Sequence, residues 1–187
     1  MLSRQILLPA GAALLLLDAT VGHTAPLDDA LKAIEAGNNP KAVETLIRLA
    51  NDGNPAAQFR LGSLYYHGHS VTEDELMAIH WWKKAATTGN AEAMYQIGHA
   101  YLFGSSAGRS VADPDKEAAL WYFQAASAGH AEAAYALGLL FLAGKGVIEN
   151  RIEAIRWFRT AADRGHVEAR KAVETAERSV QRPRSRN

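Results

Sequence analysis

Residues 130–165 read HAEAAYALGLLFLAGKGVIENRIEAIRWFRTAADRG, and this stretch decides the fold because its landmarks recur. Leu137-Gly138 has counterparts in Leu61-Gly62 and Ile97-Gly98, at spacings of 36 and 40 residues. Ala161-Ala162 followed by Gly165 has counterparts in Ala85-Ala86 with Gly89 and Ala125-Ala126 with Gly129, at spacings of 40 and 36. The four-residue difference therefore sits inside one unit, between Ile97 and Gly129. A period in this range marks a stack of supersecondary units, each unable to bury its apolar face alone.

Each unit reads as helix, loop, helix. Ala57, Leu61 and Tyr65 fall at i, i+4 and i+8 on one helical stripe, and Ala78, Trp82, Ala85 and Ala86 form the facing one. Trp81, Trp121 and Trp157 align across units, as do Tyr65, Tyr101 and Phe141. Gly62, Gly98 and Gly138 fall within helices, where glycine costs about 1 kcal/mol against alanine. Close approach of an aromatic ring on the partner helix is the reason such a cost would recur. Gly53, Gly89, Gly129 and Gly165 fit the left-handed residue that closes a helix. The residues after them, Asn54, Asn90, His130 and His166, begin the next helix, with Asn54-Pro55 and Asn39-Pro40 reading as N-cap and first helical position.

These landmarks divide the chain into a capping helix pair (residues 26–53), three units (54–89, 90–129 and 130–165), a polar capping helix (166–178) and a basic, disordered tail (179–187). The expected fold is all-α, a superhelical solenoid of antiparallel helix pairs with about nine helices. Residues 1–25 read as a secretory signal: Arg4 supplies positive charge and residues 6–17 are almost wholly apolar, too few to span a bilayer. Cleavage falls after Ala25, although Pro26 would follow the cut, or after Gly22. The chain is then periplasmic, with secretion or an uncleaved membrane anchor as alternatives. No stable membrane span is expected after signal removal.

Composition narrows the functions further. Basic and acidic residues balance at 20 each, so no field attracts nucleic acid. The chain has no cysteine, which excludes disulfides, thiolate metal sites and a cysteine nucleophile.

The string Ala-x-x-x-Leu-Gly-x-x-Tyr, a Gly-x-Gly-Val loop, Ala-Ile-x-Trp-Phe and Ala-Ala-x-x-Gly resembles the Sel-one-like repeat, a subgroup of the tetratricopeptide superfamily. The third unit carries it most fully, through Gly144-Lys145-Gly146-Val147 and Ala154-Ile155-Arg156-Trp157-Phe158. The first unit departs at Ser70, which stands for the second loop glycine, and the second departs through its longer loop. The resemblance implies a right-handed solenoid acting as an adaptor, in bacteria often exported, without naming a partner.

Two strings invite a chemical reading. Gly104-Ser105-Ser106-Ala107-Gly108 satisfies Gly-x-Ser-x-Gly, the nucleophile elbow of α/β hydrolases. That elbow needs a strand before it, whereas here a helix precedes, so the string reads as a longer inter-helix loop. His67 and His69, near Glu73 and Asp74, have a spacing that suits zinc or copper. Their counterparts Ala143, Lys145, Glu149 and Asn150 mark an ordinary loop, so no metal or other cofactor is expected. The leading reading is a non-enzymatic scaffold of the bacterial envelope that binds a protein or peptide segment in its groove. If Leu61, Gly62 and Tyr65 face their own second helix, that groove receives Ser63, Tyr66 and His67, then His99, Leu102 and Phe103, then Leu139 and Leu142. An envelope hydrolase using the 104–108 serine loop or the His67/His69 loop is the alternative, and an assembly that joins copies through its stack ends is a third. Oligomeric state and partner identity stay open.

Overall fold

The computed structural model of the chain describes residues 24–37 and 40–181. Most of the signal segment and residues 182–187 of the basic tail lie outside the described residues. Among those described there are ten α-helices and no strand: α1 (Thr24–Glu35), α2 (Pro40–Asn51), α3 (Pro55–His67), α4 (Glu75–Ala86), α5 (Ala91–Phe103), α6 (Ser105–Arg109), α7 (Pro114–Ser127), α8 (Ala131–Ala143), α9 (Arg151–Asp163) and α10 (Val167–Gln181). Each helix packs on its neighbours in the chain, and α5 also pairs with α7 across the short α6. The result is a solenoid of helix pairs. The tenth helix is α6, which forms inside the long second loop, where the sequence pattern predicts none. Two other boundaries move: α1 starts at Thr24, ahead of the capping pair expected from residue 26, and α10 runs to Gln181 rather than ending at 178, so residues 179–181 of the expected tail are helical. No helix breaker precedes Pro183, so nothing in the sequence stops α10 earlier.

The recurring glycines are explained by what lies beside them. A Cβ on Gly62 would stand 2.6 Å from Cδ1 of Trp82, one on Gly98 2.8 Å from Cδ1 of Tyr122, and one on Gly138 2.5 Å from Cε1 of Phe158. These three rings are the largest fully buried side chains besides four aliphatic ones. The ring of each second helix thus packs directly on the glycine of the first helix of its own unit. Ala85, Ala125 and Ala161 are completely buried, which lets successive units close up. Among the described residues, neither indole N–H of Trp81 and Trp82 has a hydrogen-bond partner, so both rings are held for shape rather than polarity.

The termini of the helices follow from local chemistry. Asn54 and Asn90 accept the amide protons of Ala57 and Ala93 as N-caps. Asp74, Asp113 and Asn150 do the same for the second helices, a set of caps the repeat pattern did not single out. Gly53, Gly89, Gly129 and Gly165 all adopt positive φ at the helix ends. The two ends of the stack are closed by polar faces: Asp28, Asp29, Lys32 and Glu35 are exposed on α1, and Glu168, Arg170, Lys171 and Glu174 on α10.

Candidate interaction surface

The first helices α3, α5 and α8 form one layer, and equivalent stripes on them run Arg60, Ser63, His67; Gln96, His99, Phe103; and Ala136, Leu139, Ala143. Phe103 is 68% exposed and Leu139 44% exposed, although both are large and apolar. His67 is exposed as well. The other five residues expected in the groove are half-buried. Tyr66 rests against Trp82 with ring centroids 5.3 Å apart, and Leu102 packs against the main core. Ser63 donates its hydroxyl to the Phe59 carbonyl, and Leu142 packs on the cluster around Phe158. His99 lies between Tyr95 and Phe103, 4.8 Å from the latter ring, and burial lowers its pKa. Leu102 is therefore a core-edge residue rather than a solvent-facing one. Of the eight expected residues, Phe103, Leu139 and His67 are the ones that stand free.

The two chemical strings have other occupations. Glu75, at the start of α4 in the first unit, takes the backbone amides of Ser105 at 3.1 Å, Ser106 at 2.6 Å and Ala107 at 2.9 Å. Ala107 is completely buried beneath them. A Cβ on Gly104 would overlap the Ala100 carbonyl, and one on Gly108 would lie 3.2 Å from the Tyr101 carbonyl. The small residues of this string thus seat one helical turn against α4 and α5. The amide that follows Ser106, where an elbow would hold an oxyanion, already serves a carboxylate. His67 and His69 stack on each other at 5.6 Å and are both exposed. Among the described residues, no group of three or more His, Asp or Glu side chains is placed to hold a metal ion.

Burial would raise the pKa of Glu75, but the amides of Ala107, Ser106 and Ser105 outweigh it and hold the carboxyl below its usual range. A group depressed in the folded state contributes stability above its unfolded pKa, about 4.3, and loses it as pH falls through the folded value. Glu75→Ala is accordingly expected to speed amide exchange at Ser105, Ser106 and Ala107 by tenfold or more near neutral pH. The gap between variant and wild type should close in acid. Unchanged exchange at those amides would show that α6 does not depend on Glu75. Ser106→Ala leaves the amides in place and should be nearly silent.

A second tie joins successive first helices. The Ala133 amide donates to Nδ1 of His130, and Nε2 of the same ring lies 2.9 Å from Glu92. The ring also stacks on Tyr95 at 4.6 Å. One unit later, Ala169 donates to Nδ1 of His166, Nε2 lies 2.9 Å from Glu132, and the ring stacks on Tyr135 at 4.3 Å. In the first unit Ala56 stands where Glu92 and Glu132 stand, and the following cap is Asn90 rather than histidine. Glutamate and histidine therefore come and go together within the chain. That signal was present in the sequence and would have revealed the tie.

These layers define a helical-repeat scaffold, an architecture typical of protein–protein interaction and generally not of enzymes. The Sel1 repeat model matches residues 55–90, 91–130 and 131–166, and the chain belongs to the Sel1 repeat family. It is 32% identical to a Sel1 repeat protein from Oxalobacter formigenes, with a TM-score of 0.60 over 71% of this chain and 97% of that one. It is 26% identical to c5321, a protective antigen present in uropathogenic Escherichia coli strains that displays an SLR fold. That match has a TM-score of 0.73 and covers 82% of this chain, which spans 33% of the antigen's chain. Helicobacter pylori cysteine rich protein B shares the fold at 21% identity and a TM-score of 0.53, over 71% of this chain and 92% of that one. No curated protein matches the chain. Among the described residues, no helix is long and apolar enough to cross a membrane.

Proposed function

We propose that the chain is an exported scaffold of the bacterial cell envelope that holds a protein or peptide segment in a groove along α3, α5 and α8. The observation that supports this is the pair Phe103 and Leu139, exposed at equivalent stripes of adjacent first helices. Covering either partly exposed side chain is worth about 1–2 kcal/mol, and one extended or helical segment would cover both. The polar faces of α1 and α10 favour this surface over the stack ends as the point of contact. The amides held by Glu75 weigh against the hydrolase alternative at the 104–108 serine loop, and the lone exposed pair His67 and His69 weighs against a metal centre there.

Export rests on residues 1–25. Cleavage after Gly22 would leave α1 whole, whereas cleavage after Ala25 would remove the first two residues of its opening turn. The E. coli relative's role as a protective antigen agrees with a location open to the host.

The test places a photo-crosslinking residue at 103, at 139, or at exposed Gln124 on the second-helix layer. Adducts from 103 and 139, absent from 124 and lost on Leu139→Glu or Phe103→Glu respectively, are expected. Both glutamate variants should keep the wild-type circular dichroism, because the positions are exposed in the free chain. Adducts from 124 alone would sink the groove reading.

A further inference from the structure

The groove carries a ladder of carboxylates at one edge. Glu92, Glu132 and Glu168 stand at equivalent places near the starts of α5, α8 and α10, with side chains 46%, 52% and 72% exposed. Glu92 and Glu132 begin the stripes that carry Phe103 and Leu139. Acidic residues at helix starts satisfy the helix dipole, but that alone does not fix where their oxygens point. Here His130 and His166 fix it, each bridging from the next helix to one oxygen and leaving the carboxylate half open to solvent. Nδ1 of each ring accepts an amide, so the ring turns Nε2 towards its glutamate as the donor. Burial would raise the Glu92 pKa, but the hydrogen bonds from His130 and Gln96 outweigh it and keep the group ionised. Arg60 occupies the stripe only in the first unit, on α3.

Resting on the groove reading above, we infer that the occupant is a segment with apolar anchors and basic residues. Its apolar side chains would cover Phe103 and Leu139, while a lysine or arginine meets Glu92 or Glu132. No basic residue would lie over Arg60. Carboxylates held in advance by the imidazoles need no reordering on binding, which favours discrimination by charge at the groove rim.

The experiment measures binding of short synthetic peptides by fluorescence anisotropy. One series carries leucine and phenylalanine with interspersed arginine, and a second of equal length carries glutamate instead. The arginine series should bind about tenfold more tightly at low ionic strength, with the preference shrinking in salt. Phe103→Ser combined with Leu139→Ser should abolish binding of both series. Glu92→Gln combined with Glu132→Gln should remove most of the preference for arginine and leave the melting temperature unchanged, because glutamine still accepts the Nε2 proton. Binding that depends on Phe103 and Leu139 but is equal for both series overturns the inference and leaves the groove reading standing. Binding insensitive to Phe103 and Leu139, or absent for every peptide, overturns the inference and counts against the groove itself.

Discussion

Gly98→Leu is expected to destabilise the protein by about 3 kcal/mol or more, lowering the melting temperature by roughly 10 °C for a chain of this size. A Cβ at Gly98 would already stand 2.8 Å from the Tyr122 ring and 3.2 Å from the Ala118 carbonyl. Tyr122 is 1% exposed and cannot swing into solvent, and the Ala118 carbonyl belongs to the α7 backbone. Relief therefore requires α5 and α7 to separate, which opens the centre of the stack. Gly98→Ala is the informative companion. Alanine gains about 1 kcal/mol of helix propensity, which offsets part of the ring displacement, so it should fall between wild type and leucine. Calorimetric melting of the three chains decides it. If Gly98→Leu melts with wild type, ring-on-glycine packing is not what holds the unit together.

That glycine was legible as a packing site because it broke a local rule three times at the same place in the repeat. A helix interior does not keep glycine without a reason, and the aromatic at position 82, 122 or 158 supplies it. The architecture was legible for the same cause: solenoid packing repeats, and repetition shows in one sequence. What did not repeat was harder to read. Helix α6 belongs to one unit only, and the residue that seats it, Glu75, lies 30 to 32 positions earlier on another helix. Small residues between two helices look like a loop, and nothing local says that a remote carboxylate gathers their amides into a turn. How far Leu102 stands out of its layer was not legible, for a geometric reason. Its equivalence with Tyr66 and Leu142 puts it on the first-helix layer, but the stripe assignment could not separate the crest of that layer from its flank. Phe103 and Leu139 lie on the crest, whereas Leu102 leans into the core.

The loop between helices yields the second large effect. Gly144 caps α8 and Gly146 follows at φ 66°, so any side chain there meets a left-handed backbone. A Cβ on Gly146 would also overlap the Asp115 carbonyl at the start of α7, in the preceding unit. The same turn is built in the first unit, where His69 donates to Leu64 and Asp74 to Tyr65, as Lys145 donates to Leu140 and Asn150 to Phe141. There Ser70 holds the equivalent place at φ 63°. The two positions thus share a conformation, and Gly146 adds contact with a neighbouring unit's backbone. Gly146→Ser should combine backbone strain of about 1–2 kcal/mol with displacement of the loop from α7, for a total of about 3 kcal/mol. Ser70→Gly should do the reverse on a smaller scale, relieving strain for a gain of at most about 1 kcal/mol after glycine's extra unfolded-state entropy. Denaturant unfolding of both variants measures the totals, and amide exchange at the start of α7 reports the displaced loop. Equal losses from serine at 146 and serine at 70, judged against glycine at each, would mean that φ alone sets the cost and that the loop does not bear on the preceding unit.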